Sequence, residues 1–235
     1  FYVCAGLVAA GTVVSVLLLR ETVPIDRSAP LTVKGMFSVD RSFFRNRVFM
    51  LLCWSMFIFV FARGIIMAQF PVYANSIGVH LWGIGILLTL LSVMSALTPP
   101  LFGRLSDIVG RKIPYLIGYA LTAAAFLLIA TSNGFSSGLV GAMMLLGTGS
   151  GAVFLSSSAL TADLAPKGKT GEAMGIMSAL RSAGWAAGPV ILGAIADFSS
   201  LRTIMYLSAI ILFSGLVMSL FIREKFKRRK NKKQP

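Results

Sequence analysis

Two arginines stand inside long apolar stretches of this 235-residue sequence. Arg63 lies in MFIFVFARGIIMAQF, and Arg181 lies in GIMSALRSAGWAAG. A guanidinium group is planar and presents paired N–H donors, so it binds carboxylates and phosphates at two points. In apolar surroundings such a cation either binds an anionic ligand or ties helices together. For Arg181 both roles stay open, whereas Gly64 and Pro71 beside Arg63 favour the bracing of a bent helix.

Other polar and aromatic residues flank the two arginines at helical spacing. Three of them, together with Arg181 itself, follow the pattern i, i+3, i+4, i+7, which places all four on one face of a helix. Two more lie four residues apart beyond Arg63. A polar stripe in the middle of an apolar helix predicts a water-filled cavity, so we expect substrate contacts from Arg63, Gln69, Tyr73, Ser178, Arg181, Ser182 and Trp185.

A third polar feature is the segment GRLSDIVGRK, residues 103–112, which separates two apolar stretches. Gly103 permits close helix approach, and Gly110 permits a left-handed turn. Asp107 is expected to face cations and helix N-termini, both of which attract a carboxylate. Such a contact would hold helices together and could still be broken, so the segment is interpreted as a latch.

Long apolar helices must position these residues. The chain is 56% hydrophobic and 13% charged, with a mean hydropathy of +0.82, which is typical of an integral membrane protein. A helix needs about 20 apolar residues to span the hydrocarbon. Seven stretches qualify, at residues 1–19, 48–74, 81–102, 113–131, 135–161, 171–196 and 204–222.

Charge placement predicts the orientation in the membrane. All but three of the 22 Lys and Arg residues fall on one side; the exceptions are Arg63, Arg181 and Arg202. The positive-inside bias assigns the linker at 20–47 and the basic tail at 223–235 to the cytoplasm. We expect the tail to contact anionic lipid headgroups and not nucleic acid.

The six helices after the linker divide into two triplets that start on opposite faces of the membrane. This arrangement is typical of an inverted repeat, so residues 48–222 are predicted to form one domain. An enzyme would need paired acids, metal ligands or a nucleophile with its base. One histidine and no acidic residue in the middle of an apolar stretch supply none of these, and we expect no metal and no cofactor. The last helix has no lysine for a retinal Schiff base, which disfavours a seven-helix receptor.

The segment at 103–112 resembles the most diagnostic motif of the major facilitator superfamily, which lies after the second helix of each half. The matching residues are Gly103, Leu105, Asp107, Gly110, Arg111 and Lys112; Ile108 departs from the pattern, because the family often has a cation there. DLAPKGKTGEAMG from Asp163 is similar to the family's loop between its tenth and eleventh helices. The resemblance covers the whole chain and implies the C-terminal half of a twelve-helix transporter, preceded by helix six at 1–19.

A second segment, GWAAGPVILG, resembles the Gly-Pro signature that proton-coupled drug exporters carry on their fifth helix. Here Gly184, Gly188, Pro189 and Gly193 belong to the eleventh helix, the symmetry mate, and are expected to permit close helix packing. The resemblance implies secondary transport of a small molecule by alternating access across the plasma membrane. The first expectation is proton-coupled efflux of amphipathic drug-like compounds; the alternative is an organic-anion transporter that uses Arg63 and Arg181. The coupling carboxylate and the other half of the cavity would then come from outside these 235 residues.

Overall fold

The computed structural model describes residues 6, 8–13, 43, 45–166 and 168–222. The chain divides into two compact units, Phe1–Val39 and Asp40–Pro235. In the first unit the described residues are helical. The described part of the second unit contains six long helices: α1 (Arg47–Ser76), α2 (Leu81–Val109), α3 (Lys112–Thr131), α4 (Ser137–Leu164), α5 (Thr170–Phe198) and α6 (Leu201–Leu220).

All six helices are long and apolar enough to cross a membrane. The six predicted spans from residue 48 onward are therefore confirmed as helices. The span predicted at 1–19, the linker at 20–47 and the tail at 223–235 lie mostly or wholly outside the described residues. The largest difference from the predicted spans is at α2, which continues past residue 102 to Val109. A helix satisfies its own backbone hydrogen bonds, so it can leave the hydrocarbon without a break.

Short turns with identifiable caps separate the helices. The Asn46 side chain accepts from the backbone N–H groups of Val48 and Phe49, at 3.2 and 3.4 Å, and so caps α1. Ser136 and Ser200 cap α4 and α6 in the same way. At the end of α2, Gly110 has a φ of +98°, a conformation that side-chain-bearing residues rarely adopt. The turn between α2 and α3 is therefore limited to Gly110 and Arg111.

The main helix contacts are between the triplets α1–α3 and α4–α6. Helix α2 packs on α4, α5 packs on α1, α3 packs on α4, α6 packs on α1, and α3 packs on α6. Exchanging the two triplets leaves this set of pairs unchanged. Consecutive helices within a triplet contact each other much less. This is the symmetry expected of two intertwined repeats.

Glycines bring the helix backbones together at two crossings, one between α2 and α4 and one between α1 and α5. A Cβ at Gly147 of α4 would overlap the Leu91 carbonyl of α2. A Cβ at Gly188 of α5 would overlap the Phe61 carbonyl of α1, and one at Gly184 would lie 3.0 Å from the Phe57 carbonyl oxygen. Only glycine allows helices to approach this closely.

Hydroxyl groups join α1 to α3 in the buried core. The Ser55 and Tyr115 hydroxyls are 2.8 Å apart, and the Tyr119 hydroxyl donates to the Ser55 carbonyl. Both tyrosines are fully buried. Lipid offers no hydrogen-bond partners to buried polar groups, so these bonds satisfy them and hold α1 to α3.

Candidate functional site

Arg63 lies on α1 and is 7% exposed. Its Nε donates to the Ser150 Oγ of α4 at 2.7 Å, and that hydroxyl in turn donates to the Leu146 carbonyl at 2.6 Å. The hydroxyl therefore uses both its donor and an acceptor site, and it fixes the orientation of the guanidinium. Within the described part of the chain, the Nη atoms of Arg63 make no hydrogen bond.

Arg181 lies on α5 and is partly buried. Its Cζ is 5.9 Å from the centroid of the Phe154 ring on α4, and the Cζ of Arg63 is 5.7 Å from the same centroid. Each contact is a cation–π interaction, which contributes about 0.5–2 kcal/mol depending on desolvation. Neither arginine forms an ion pair with a described residue. Two cations from opposite triplets therefore converge on one aromatic ring, and we call this set the arginine site: Arg63, Phe154 and Arg181.

Close packing of α5 on α1 positions the arginine site. A Cβ at Gly64, next to Arg63, would lie 3.0 Å from the Cδ of Pro189. Gly188 and Gly184 meet the backbone of α1 at Phe61 and Phe57, about one and two turns before Gly64. The motif at 184–193 thus forms the α1–α5 crossing. Gly193 belongs to it as well, because its Cβ would lie 3.2 Å from the Gln69 Nε2.

The other residues predicted to contact substrate do not all lie near the arginine site. Ser178, Ser182 and Trp185 are exposed on α5, and Trp185 is 40% exposed. Gln69 is partly buried against α5. Tyr73 lies elsewhere: it is buried, and its hydroxyl donates to the Ile129 carbonyl at 2.9 Å. The structure therefore places Tyr73 in the packing between α1 and α3, away from the arginine site.

The sequence does not single out Phe154 of the arginine site, or Ser150, which accepts the hydrogen bond from Arg63. They lie four residues apart on α4, so they share one helix face. An isolated aromatic residue in an apolar helix is indistinguishable from an ordinary core residue. The only signal is Ser150 within the run GTGSG, where a hydroxyl sits among small residues that admit a neighbouring helix.

At the cytoplasmic end predicted from charge, Arg111 and Lys112 contact the C-terminal parts of two helices. Arg111 Nη1 is 2.9 Å from Asp163 Oδ2 and donates to the Ala159 carbonyl of α4 at 2.6 Å. Lys112 Nζ donates to the Leu220 carbonyl at the end of α6, also at 2.6 Å. Helix C-termini carry partial negative charge and unpaired carbonyls, so cations stabilise them. The two motif segments identified in the sequence are thus joined by the Arg111–Asp163 ion pair.

The remaining residues of the motif make few contacts within the described bundle. Gly103 lies within α2, and a Cβ there would make only an ordinary contact, 3.9 Å from Leu155 Cδ2. Leu105 is partly buried, and Asp107 is exposed in the last two turns of α2. Asp107 forms no hydrogen bond or ion pair with any residue that the structure describes. The cations of the motif, and not its carboxylate, make the contacts within this bundle.

The sequence model of the Major Facilitator Superfamily matches residues 52–235. The chain belongs to this superfamily. It therefore comes from a family of transporters, and its six long apolar helices make it a multi-pass membrane protein. The match includes all of the arginine site and the motif at 103–112.

Among curated proteins, the chain is 31% identical over 172 residues to the multidrug resistance protein MdtG of Enterobacter lignolyticus, covering 70% of this chain and 40% of that protein. It is 25% identical over 177 residues to the quinolone resistance protein NorA of Staphylococcus aureus, covering 75% and 45%. The chain thus spans less than half the length of these relatives.

Solved structures support the fold. A POT family transporter in complex with 5-aminolevulinic acid superposes with a TM-score of 0.61 at 20% identity, covering 74% of this chain and 36% of that one. A peptide transporter of the same family, bound to sulfate, gives a TM-score of 0.62 at 19% identity. At this identity the likeness shows the helical arrangement alone.

Proposed function

We propose that this chain forms one half of a secondary transporter that exports amphipathic small molecules by alternating access. The family membership and the drug-resistance relatives support transport and efflux. The complete gene product is expected to enclose the substrate between this bundle and a second one. Charge placement supports a location in the plasma membrane with the C-terminus in the cytoplasm.

The observation that carries the proposal is the polar face of α5. Only five of the 29 residues of α5 are buried: Ala173, Met177, Gly184, Gly188 and Leu192. Its unburied surface presents Ser178, Ser182 and Trp185 beside Arg181. Lipid does not solvate such groups, so this face is suited to a wet cavity between two bundles.

Proton coupling is the finer part of the proposal. The acidic residues that the structure describes lie at or near helix ends: Asp107, Asp163, Glu172 and Asp197. A carboxylate that takes up and releases protons in the middle of the membrane would therefore belong to the rest of the gene product. The Arg63 and Arg181 cations would then face that carboxylate or the substrate.

The test is efflux from cells or vesicles that contain the complete gene product. Fluorescent amphipathic compounds are loaded, and their loss is followed with and without an ionophore that collapses the proton gradient. We expect saturable efflux that stops when the gradient is lost. Efflux that persists without any ion gradient, or no efflux across a panel of compounds, would overturn the proposal.

A further inference from the structure

We propose that the arginine site binds the oxyanion of an amphipathic substrate, so that the transporter handles organic acids. This inference rests on the proposed function and specifies its substrate class. It uses Arg63, Phe154 and Arg181, which come from three different helices and both triplets. The apolar part of the ligand would lie against α5, next to Trp185.

The geometry of Arg63 is suited to this role. Its Nε is occupied by the Ser150 hydroxyl at 2.7 Å, which leaves the two Nη groups as the ends that can receive a ligand. A fixed guanidinium loses little side-chain freedom when it binds, so its hydrogen bonds contribute more to affinity. Both Nη atoms can donate to the two oxygens of a carboxylate or to two oxygens of a phosphonate.

Arg181 supplies the second charge from the more open side. It is partly buried, whereas Arg63 is 7% exposed. Two cations near one ring repel each other, and the repulsion is strong in surroundings of low dielectric constant. An anion that contacts both guanidinium groups would offset that repulsion and gain two charge-assisted contacts. Phe154 screens the pair only partly, since a ring quadrupole offers much less than a full negative charge.

Trp185 completes the site on the apolar side. It is 40% exposed and follows Arg181 by four residues, so the two side chains share one face of α5. An aromatic acid could place its charged end at the arginines and its ring against the indole. A carboxylate from the rest of the gene product is the competing occupant; it would neutralise the arginines and leave no anion site.

The experiment uses the complete gene product in proteoliposomes and two probes of equal shape: 2-naphthoate and its neutral amide, 2-naphthamide. Binding is measured by quenching of tryptophan fluorescence, and transport is measured separately. Arg181→Ala should weaken naphthoate binding by about tenfold or more, because a charge-assisted contact is lost. Arg181→Lys should give an intermediate affinity, and naphthamide binding should not change. Arg202→Ala is the matched control. Arg202 lies at the start of α6, where it contacts Asn133, so this substitution should leave both affinities unchanged.

The outcomes separate this inference from the proposed function. Naphthoate binding that depends on Arg181, without any transport, would support the site and contradict the transport proposal. Transport of neutral or cationic compounds, with naphthoate affinity that Arg181→Ala leaves unchanged, would overturn the anion site alone. Equal loss of both probes in Arg181→Ala, together with a lower unfolding temperature, would also overturn it, because Arg181 would then serve packing.

Discussion

The protein has two pairs of cations with opposite surroundings. Arg111 and Lys112 donate to helix carbonyls, and Arg111 also pairs with Asp163. Arg63 and Arg181 share only the Phe154 ring, with one further bond from Arg63 to a hydroxyl. Among the described residues, the first pair therefore includes a cation with an acidic partner, whereas the second pair does not.

The difference separates stabilising charges from those suited to binding a ligand. Asp163 lies near the negative C-terminal end of α4, where a carboxylate is unfavourable, and Arg111 offsets that charge. Water and lipid headgroups can hydrate this pair, so its formation costs little. A charge in the middle of the membrane costs at least about 2.5 kcal/mol by insertion scales. A second arginine without an acidic partner in the described bundle only adds to that cost, which favours a role outside stability.

The largest expected effect comes from the backbone contact that positions Arg181. Gly188→Ala should force α5 away from α1, because the new Cβ would overlap the Phe61 carbonyl. We expect a loss of about 1–3 kcal/mol in the free energy of unfolding, the usual range for overpacking, and weaker anion binding. Thermal unfolding in detergent and naphthoate titration measure the two effects.

The matched control for this substitution is Gly175→Ala on the same helix, where no atom lies within 4 Å of the new Cβ. It should leave stability unchanged or raise it slightly, because alanine favours the helix. Equal stability of the two variants would mean that α5 does not depend on close contact with α1. The arginine site would then have to be positioned in another way.

The second prediction concerns Arg63, the more buried of the central pair. Arg63→Met should weaken naphthoate binding by about tenfold, which corresponds to 1.4 kcal/mol. Stability should change by less than about 1 kcal/mol, since the lost bond to Ser150 is offset by removal of a desolvated charge. A double-mutant cycle with Arg181→Ala measures how far the two arginines act on one ligand. Additive losses would contradict a shared anion and would indicate two separate roles.

These contrasts also show which features of the structure can be predicted from the sequence. Apolar length predicts all six helices of the described bundle, because spanning a membrane imposes that length. It does not predict the end of α2, since a helix can continue past the hydrocarbon to Val109. The contribution of Phe154 is missed for a different reason: convergence on one ring depends on which helices cross. Consecutive helices mostly do not pack together here, so chain order gives no indication that Phe154 of α4 lies near both arginines. Arg111 and Asp163 belong to recognised motifs, but their pairing also requires the tertiary fold.

The third prediction tests the ion pair between Arg111 and Asp163. Arg111→Gln removes the ion pair with Asp163 and the charged bond to the Ala159 carbonyl. Both side chains are partly exposed, so we expect a loss of only about 1 kcal/mol or less in stability, reduced further at high salt. Naphthoate affinity should not change. A tenfold loss of affinity with unchanged stability would reverse the assignment of the two pairs.

The smallest effect on stability is expected at Asp107. It is exposed and has no partner among the described residues, so Asp107→Asn should change the free energy of unfolding by no more than about 0.5 kcal/mol.

The same substitution should have a larger effect on transport. The resemblance predicts that Asp107 latches the cytoplasmic side through groups outside this bundle. The neutral amide would lose most of that attraction, and the population should shift toward inward-open states. Cysteine labelling in the complete gene product should then increase on the cytoplasmic side and decrease on the outer side. Asp197→Asn is the control, because Asp197 is an exposed acid at the C-terminal end of α5. It should not change the labelling on either side. If Asp107→Asn instead lowers stability as much as Arg111→Gln, then the carboxylate stabilises the bundle itself. An unchanged labelling pattern with normal transport would exclude a latch altogether, and the cations of the motif would be its functional part.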